Sequence, residues 1–200
     1  MTKPLKSLQR DELETVAELC ARAFIDEPHI AYFFPEVSRR MSDSIALFRM
    51  RIDYGLRYGI VSATSNAESI AVWLPSEVAA MTRWRQLRAG GLRLYRQVGA
   101  EAVDRMGRVS EHNEALRLRT VPDEHIFLSL LAVDPSHQRE GHASTLLRQM
   151  LDRCDRRMPV YAETTQPDVL SFYERLGFEA GEPSALPETD LRVWPLVRTY

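Results

Sequence analysis

The sequence predicts an α/β protein in which one β-sheet is layered between helices. The second half alternates short apolar runs of strand length with amphipathic segments of helix length, a pattern typical of this class. Residues 125–133 ("HIFLSLLAV") are apolar without alternation, which is typical of a central strand covered on both faces. No repeat or long linker divides the 200 residues, so we expect one domain over residues 1–200.

The N-terminal elements are predicted to be a short strand, two helices and the loop between them. We expect the strand around residues 4–8, followed by a first helix that Asp11 caps, because apolar residues then recur at helical spacing. Residues 26–36 ("DEPHIAYFFPE") combine acids, prolines and adjacent aromatics and predict a loop with a short helix. The apolar stripe of the second helix begins at Met41, and we expect the helix to end near Gly59.

The middle of the chain is predicted to be a β-hairpin followed by helices. The segments "IVSAT" and "SIAVWLP" flank the turn-like "SNAE", and Pro75 stops the second strand. Residues 77–119 predict a helical insertion of two or three helices, broken at Gly90–Gly91, Gly99 and Gly107.

The last part of the chain is predicted to supply four strands and two helices. We expect helices at 141–156 and 168–176, and strands at 125–133, at 159–164, from 178 onward and at 191–197.

The net charge of the chain does not favour a nucleic-acid partner. Lys plus Arg number 26 against 28 Asp plus Glu, which gives a net charge of −2 and lacks the basic excess typical of such proteins. Residues 81–119 are an exception, with nine arginines against four acids. A solvated helical face and a surface for an anionic ligand or partner both fit this segment.

The cysteines, histidines and apolar runs limit the class of protein further. Cys20 and Cys154 each fall on an apolar helical face, so we expect reduced core residues. The histidines lack metal-ligand spacing, and we predict no metal. No apolar run approaches the ~18 residues of a membrane helix and no signal segment is recognisable, so we expect a soluble cytoplasmic protein without a membrane partner.

The segment between the central strand and its helix has the character of a phosphate site. "SHQREGHAS" supplies consecutive backbone N–H groups at the positive end of a helix dipole, and Gly141 removes a side chain there. Neither the phosphate loop of nucleotide hydrolases nor the three-glycine dinucleotide fingerprint is present. An ordinary strand-to-helix crossover without a ligand remains open on this segment alone.

A second motif lies in "VYAETTQPDVLSFYERLGFEAG", residues 160–181, a strand and a short helix that Gly177 ends. Taken together, the two motifs resemble the GNAT superfamily of acyl-CoA-dependent N-acyltransferases over residues 126–178. "AVWLP", "LRVWPLVR" and the combination "AETTQPDVLSFYERLGF" are most similar to the branch that contains puromycin N-acetyltransferase. The resemblance implies a mixed, mostly antiparallel central sheet flanked by helices, with strands splayed at the cofactor site.

The resemblance also implies the reaction and the co-substrate. It predicts transfer of an acetyl group from acetyl-CoA to a primary amine of a small molecule, by direct attack in a ternary complex, with residues 125–178 as the acetyl-CoA-binding core. Backbone groups of the central strand would bind the pantetheine arm and the adjoining loop the pyrophosphate. These residues are Leu131, Ala132, Val133, Gln138, Arg139, Glu140, Gly141, His142, Ala143 and Ser144.

Two side chains match or approach the catalytic positions of that family. Tyr173 matches the tyrosine that protonates the leaving thiolate, and an unperturbed tyrosine remains a proton donor at neutral pH. Glu163, at the end of a strand, is the first candidate for the base that deprotonates the amine. A structural carboxylate that caps the loop is one alternative for Glu163, and His125 could instead relay the proton through water.

The acceptor amine is expected to bind among residues of the N-terminal half. Acids suit a cationic amine and aromatic rings a planar body. The candidates are Asp26, Glu27, Tyr32, Phe33 and Trp73. A junction packed by aromatic rings without a ligand is the competing interpretation.

Two positions depart from the family pattern and keep other functions open. Glu140 brings a negative charge into the predicted pyrophosphate loop, and Val169 stands where many members have an asparagine. A catalytically idle acyl-CoA sensor or partner subunit therefore remains an alternative, as does an unrelated nucleotide-binding domain. Both a monomer and a homodimer are compatible with the sequence.

Overall fold

A computed structural model describes residues 5–121, 123–154, 158–187 and 189–199, and its framework is a mixed, mostly antiparallel β-sheet. The strand order is β1-β2-β3-β4-β5-β8-β6, β7 pairs with β8, and only β4 and β5 run parallel. The strands are β1 (Leu5–Ser7), β2 (Ile60–Thr64), β3 (Ser69–Pro75), β4 (Ile126–Val133), β5 (Val160–Thr164), β6 (Glu179–Ala180), β7 (Ser184–Ala185) and β8 (Arg192–Arg198).

Helices cover both faces of this sheet, as the sequence predicts for an α/β protein. They are α1 (Leu13–Phe24), α2 (Pro28–Phe33), α3 (Val37–Tyr58), α4 (Ser76–Ala79), α5 (Arg83–Arg88), α6 (Gly91–Thr120), α7 (His142–Leu151) and α8 (Leu170–Glu174). Short 3-10 turns precede α1, α7 and α8 at Arg10–Glu12, Pro135–His137 and Pro167–Val169.

Two hydrophobic cores lie on opposite sides of the sheet. Side chains alternate between the faces along β3: Ile70 and Val72 pack against α1, α3 and α6, whereas Ala71 and Trp73 pack against α7 and α8. We call the first side the α3 face and the second the α7 face. In the described ranges, no helix is long and apolar enough to cross a bilayer. Cys20 is buried, and both it and Cys154 are free thiols.

The central strand occupies the position that its sequence predicts. β4 lies between β3 and β5 in the middle of the strand order, and its residues are buried or half-buried on both faces. The hairpin of β2 and β3, the short helix after Asp26 and the end of α3 at Gly59 are also confirmed.

Three predicted helix boundaries are wrong. Asp11 lies inside the 3-10 turn, where Glu12 accepts a hydrogen bond from the Gln9 N–H, so it does not cap α1. Gly107 does not break the insertion, because the helix continues through it and the kink falls at Gly99 (φ 82°). The helix predicted at 141–156 ends at Leu151; residues 155–157 lie outside the described ranges.

Candidate functional site

The two parallel strands at the centre of the sheet separate part-way along their length. β4 and β5 pair only over Ile126–Leu128 and Val160–Ala162. Beyond this point β4 continues to Val133 while still paired with β3, across a register shift between Val72 and Trp73. A bulge of this kind bends a strand and changes the direction of the residues beyond it. The result is an open edge on the far half of β4, facing the end of β5.

The main-chain groups at this open edge belong to Leu131 and Val133. The Asp134 N–H donates to the Glu68 carbonyl on the β3 side at 2.9 Å. The N–H and C=O groups of successive residues point to alternate edges of a strand. The main-chain groups of Val133 and Leu131 therefore point away from β3. Ala132 points toward β3. A ligand lying along the opening would therefore meet two of the three residues predicted for it.

The loop between β4 and α7 presents unpaired backbone amides. Arg139 (φ 67°) and Gly141 (φ 85°) both adopt left-handed backbone conformations, which fold the loop into a tight curve. Among the described residues, no side chain caps the start of α7. The N–H groups of His142, Ala143 and Ser144 therefore lie in the first turn of α7 without intrahelical acceptors, where an anion is stabilised.

A charged network holds the start of this loop. Asp134 accepts hydrogen bonds from Arg22 Nη2 at 2.6 Å and from the Ser136 N–H at 3.0 Å. The Arg22 hydrogen bond first, and those from Ser136 next, lower the pKa of Asp134 to about 2. The network ties α1 to the end of β4, so the helical layer fixes where the loop begins.

Glu140, the acidic departure in the loop, is engaged by a neighbouring histidine. Its Oε2 lies 3.2 Å from His142 Nε2, and 54% of its side chain is exposed. The other ring nitrogen of His142 lies 3.7 Å from Glu68 Oε2. His142 thus lies between two carboxylates, and the charge of Glu140 has a partner within the loop itself.

Tyr173 lies on the α7 face, in the same hydrophobic cluster as Leu128 and Leu131 of β4. Its ring packs edge-on against Phe172 and Phe178, with centroids 5.1 and 5.5 Å away. Burial raises the pKa of the phenol well above its ordinary value, so the hydroxyl stays protonated. In the part of the chain that the structure describes, nothing hydrogen-bonds this hydroxyl.

Glu163 lies at the end of β5 on the opposite, α3 face of the sheet. Its Oε1 accepts from Asn113 Nδ2 of α6 at 2.8 Å, and its Oε2 accepts more weakly from the Tyr161 hydroxyl at 3.4 Å. Burial raises the pKa of Glu163, and the Asn113 hydrogen bond and the Arg51 charge oppose this. Glu163 is therefore a half-buried carboxylate that two hydrogen bonds hold in place.

Further polar side chains surround Glu163 that the sequence did not single out. Arg51 of α3 lies close enough to Glu163 to interact with it electrostatically, and His29 of α2 lies close enough to interact with Arg51. Burial first, and then the charges of Arg51 and His112, lower the pKa of His29 to about 4, so His29 is neutral at pH 7. His29 Nε2 and Asn113 Oδ1 are buried without a partner in the described residues.

The predicted acceptor residues are only partly brought together. Glu27 accepts hydrogen bonds from the Thr165 hydroxyl and from Gln166 Nε2, each at 2.6 Å, which places it beside the end of β5. Burial raises the pKa of Glu27. Asp26 is exposed, and Tyr32 and Phe33 pack into the α3 face of the core.

Trp73 is not brought to that group. It is 1% exposed and lies on the α7 face with Leu128 and Tyr173, so the sheet separates it from Asp26 and Tyr32. Side chains along β3 alternate between the two faces of the sheet, so Trp73 lies on the α7 face while its neighbour Val72 lies on the α3 face. A direct contact of Trp73 with an acceptor on the α3 face does not fit this placement.

His125 is engaged at both ring nitrogens and is 2% exposed. Nδ1 lies 2.7 Å from the Asp123 carbonyl and Nε2 lies 2.9 Å from Arg117 Nη1. A proton relay through water would need a free ring nitrogen. The contacts of His125 instead fit a structural role. Within the described ranges, no group of three or more His, Cys, Asp or Glu side chains is placed to hold a metal ion.

The residues that sequence reasoning missed lie on the core-facing stripes of α3 and α6. Arg51 lies three residues after Phe48 and four before Gly55, on the stripe of α3 that faces the core. Asn113 lies four residues after Val109 on the buried stripe of α6. Other polar residues of these helices, such as Asp43 and Asp53, are buried as well, so the pattern alone does not single out Arg51 and Asn113.

Comparison with known proteins agrees with this geometry. A sequence model of the acetyltransferase (GNAT) family matches residues 107–178, which include β4, the loop, α7, β5 and Tyr173. A structure described as histone acetyltransferase HPA2 and related acetyltransferase from Corynebacterium glutamicum is similar, with a TM-score of 0.73 and 19% identity over 100% of this chain and 97% of that chain.

Two insect enzymes share the fold at lower similarity. A mosquito arylalkylamine N-acetyltransferase like 5b has a TM-score of 0.53 and 17% identity over 98% of this chain and 99% of that chain. The Drosophila melanogaster polyamine N-acetyltransferase has a TM-score of 0.53 and 14% identity, with the same coverage. The family model thus covers the part of the chain that holds the open edge and its loop, and the solved structures share the fold over nearly the whole chain.

Proposed function

We propose that this chain transfers an acetyl group from acetyl-CoA to a primary amine of a small molecule, with both substrates bound at once. The observation that carries the proposal is the separation of β4 from β5. It leaves the main-chain groups of Leu131 and Val133 free, with Tyr173 on one face of the sheet and Glu163 on the other. The solved relatives named for arylalkylamine and polyamine acetylation support an amine acceptor.

The residues at the opening fit an extended, anionic co-substrate. Leu131 and Val133 offer a strand-like edge to an amide-containing arm, and the first-turn amides of α7 suit a pyrophosphate. Arg139, which is exposed in the same loop, adds a charge-assisted hydrogen-bond donor. When bound, acetyl-CoA supplies the acetyl group as a reactive thioester.

The chain's own groups then handle the protons. Glu163, when ionised, removes a proton from the ammonium and leaves the amine lone pair free to attack. The Leu131 N–H donates a hydrogen bond where negative charge develops on the carbonyl oxygen. The Tyr173 hydroxyl donates its proton toward the departing thiolate. Holding the two reactants together contributes up to about 7–11 kcal/mol in well-oriented cases.

Membership of the puromycin-type branch and a cytoplasmic location, where acetyl-CoA is available, are parts of this proposal. The test is a thiol-release assay with acetyl-CoA and a panel of primary amines that includes puromycin, agmatine and an arylalkylamine. Release with at least one amine, and none with its N-acetylated form, supports the proposal. Acetyl-CoA binding without release from any amine would instead favour an acyl-CoA sensor.

A further inference from the structure

A half-buried arginine beside Glu163 lacks the partner that the other arginines of its helix have. Arg57 donates to Asp53 Oδ2 at 2.8 Å, and Arg49 lies 3.0 Å from Glu14 Oε2. Arg51 lies between them in sequence on the core-facing stripe of α3. Among the residues that the structure describes, no hydrogen bond or salt bridge is formed by its guanidinium, which carries five N–H donors.

The cation and the anion of this site are held apart rather than paired. Arg51 and Glu163 interact electrostatically, yet within the described ranges no salt bridge joins them. Instead, Asn113 and Tyr161 hold the Glu163 carboxylate from α6 and from β5 itself. A half-buried guanidinium without a protein partner has lost part of its hydration, and a ligand that supplies an anionic group offsets that cost.

Two further polar atoms near this pair of charges are buried without partners among the described residues. Asn113 donates its amide N–H to Glu163, which leaves Oδ1 as a buried acceptor suited to an ammonium. His29 Nε2 is buried and unpartnered beside Arg51. The separated charges and these two atoms together complement a zwitterion, with its ammonium at Glu163 and Asn113 and its carboxylate at Arg51.

We propose that Arg51 binds a carboxylate of the acceptor, so that the acceptors are amino acids or other amines that carry a carboxylate. This inference rests on the proposed function and names its substrate class. Arg51 acts here as a specificity-determining residue, because a planar guanidinium matches a carboxylate with two parallel hydrogen bonds.

The test compares amines that differ only in the carboxylate. Suitable pairs are arginine and agmatine, tyrosine and tyramine, and phenylalanine and phenethylamine, assayed by thiol release with saturating acetyl-CoA. For the wild-type protein we expect kcat/KM to favour the carboxylated member of an accepted pair by at least about tenfold, the loss typical for one charge-assisted contact.

Variants of α3 separate a binding role from a structural one. Arg51→Gln should reduce the preference within a pair to less than about threefold, mainly by raising KM for the carboxylated member, and Arg51→Lys should retain part of it. Arg57→Gln, on the same helix but paired with Asp53, should leave the preference unchanged. A ratio within a pair is insensitive to the fraction of folded protein.

The outcomes distinguish this inference from the proposed function. Efficient acetylation of the carboxylate-free members only, or an unchanged preference in Arg51→Gln, overturns the role of Arg51 and leaves the acetyltransferase function intact. Acetyl-CoA binding without turnover of any carboxylated member also overturns it. Absence of acetyl-CoA binding, in contrast, contradicts the proposed function itself.

Discussion

Burial acts on the two proposed catalytic side chains in the same direction but with different consequences. Both Tyr173 and Glu163 have raised pKa values because the surrounding protein disfavours their charged forms. For Tyr173 this keeps the proton on the hydroxyl throughout the neutral pH range. For Glu163 it makes the ionised carboxylate a stronger base than an exposed glutamate. Burial thus keeps Tyr173 in the protonated form that a donor needs and strengthens Glu163 as a proton acceptor.

Replacing the Tyr173 hydroxyl tests the donor role. We expect Tyr173→Phe to lower kcat at least tenfold and to change acetyl-CoA affinity less than about twofold, because the ring packing against Phe172 and Phe178 is kept. Steady-state thiol release and calorimetric titration measure the two effects. Tyr95→Phe, at a tyrosine that is 48% exposed, is the matched control. Unchanged turnover in Tyr173→Phe would remove the donor role.

The pH dependence of the reaction tests the base. Glu163 acts only when ionised, so kcat/KM should rise as the pH increases through its raised pKa, above the ordinary range of about 4.3 for glutamate. Glu163→Gln keeps the shape and the acceptor for Asn113 but cannot take a proton. We expect its activity at pH 7 to fall about a hundredfold and this limb of the profile to disappear. A Gln variant with the wild-type profile would assign the base elsewhere.

At the scale of elements, the loop between β4 and α7 depends on backbone conformation rather than on packing. Gly141 has a φ of 85°, yet a Cβ placed on it would meet no atom within 4 Å. The left-handed conformation alone therefore accounts for the glycine, and it directs the first-turn amides of α7.

An alanine at Gly141 should therefore disturb the loop without creating a clash. We expect Gly141→Ala to cost about 1 kcal/mol of unfolding free energy and to weaken acetyl-CoA binding about tenfold, measured by urea unfolding and calorimetry. Gly107→Ala provides the control: it also meets no atom within 4 Å, but it lies inside α6, where alanine stabilises by up to about 1 kcal/mol. Equal effects of the two substitutions would contradict the argument.

The Asp134 network gives the same loop a pH-dependent anchor. The pKa of Asp134 is lowered to about 2 in the folded protein, from about 3.8 in the unfolded chain. Its contribution to stability is therefore fully present above pH 3.8 and is lost as the pH falls toward 2. We expect Asp134→Ala to lower the free energy of unfolding by about 1 kcal/mol at pH 7, a modest value because Arg22 is 46% exposed. In urea titrations the difference in unfolding free energy between wild type and Asp134→Ala should shrink below pH 4. A difference that stays constant with pH would contradict this role of Asp134.

At the scale of the whole molecule, the sequence predicts the order of elements well because hydrophobic periodicity is a local property. The continuous apolar run of β4 correctly predicts a central strand, and Gly59 and Gly90 correctly predict chain breaks. Gly107 misleads because a helix interior tolerates glycine when the flanking turns are well formed. Asp11 misleads because the preceding turn is 3-10 and is closed by Glu12 instead.

The site is less predictable, because it depends on which elements the topology brings together. The loop and Tyr173 are predictable as motifs, whereas Arg51 and Asn113 lie on helices far from Glu163 in sequence. The sequence does not show that Trp73 and Asp26 lie on opposite sides of the sheet, because this depends on the register of β3. Polar residues on the buried stripes of α3 and α6 were the only local sign of the cluster, and they do not single out Arg51 and Asn113.

Calorimetric titration of the purified protein with acetyl-CoA, repeated with ADP as the competitor, tests the central claim most directly. If the open edge of β4 and the start of α7 bind the co-substrate together, acetyl-CoA should bind with about micromolar affinity and ADP should compete only weakly, because it lacks the arm that meets Leu131 and Val133. No heat of binding, or equal binding of ADP and acetyl-CoA, would contradict the assignment of this opening to acetyl-CoA.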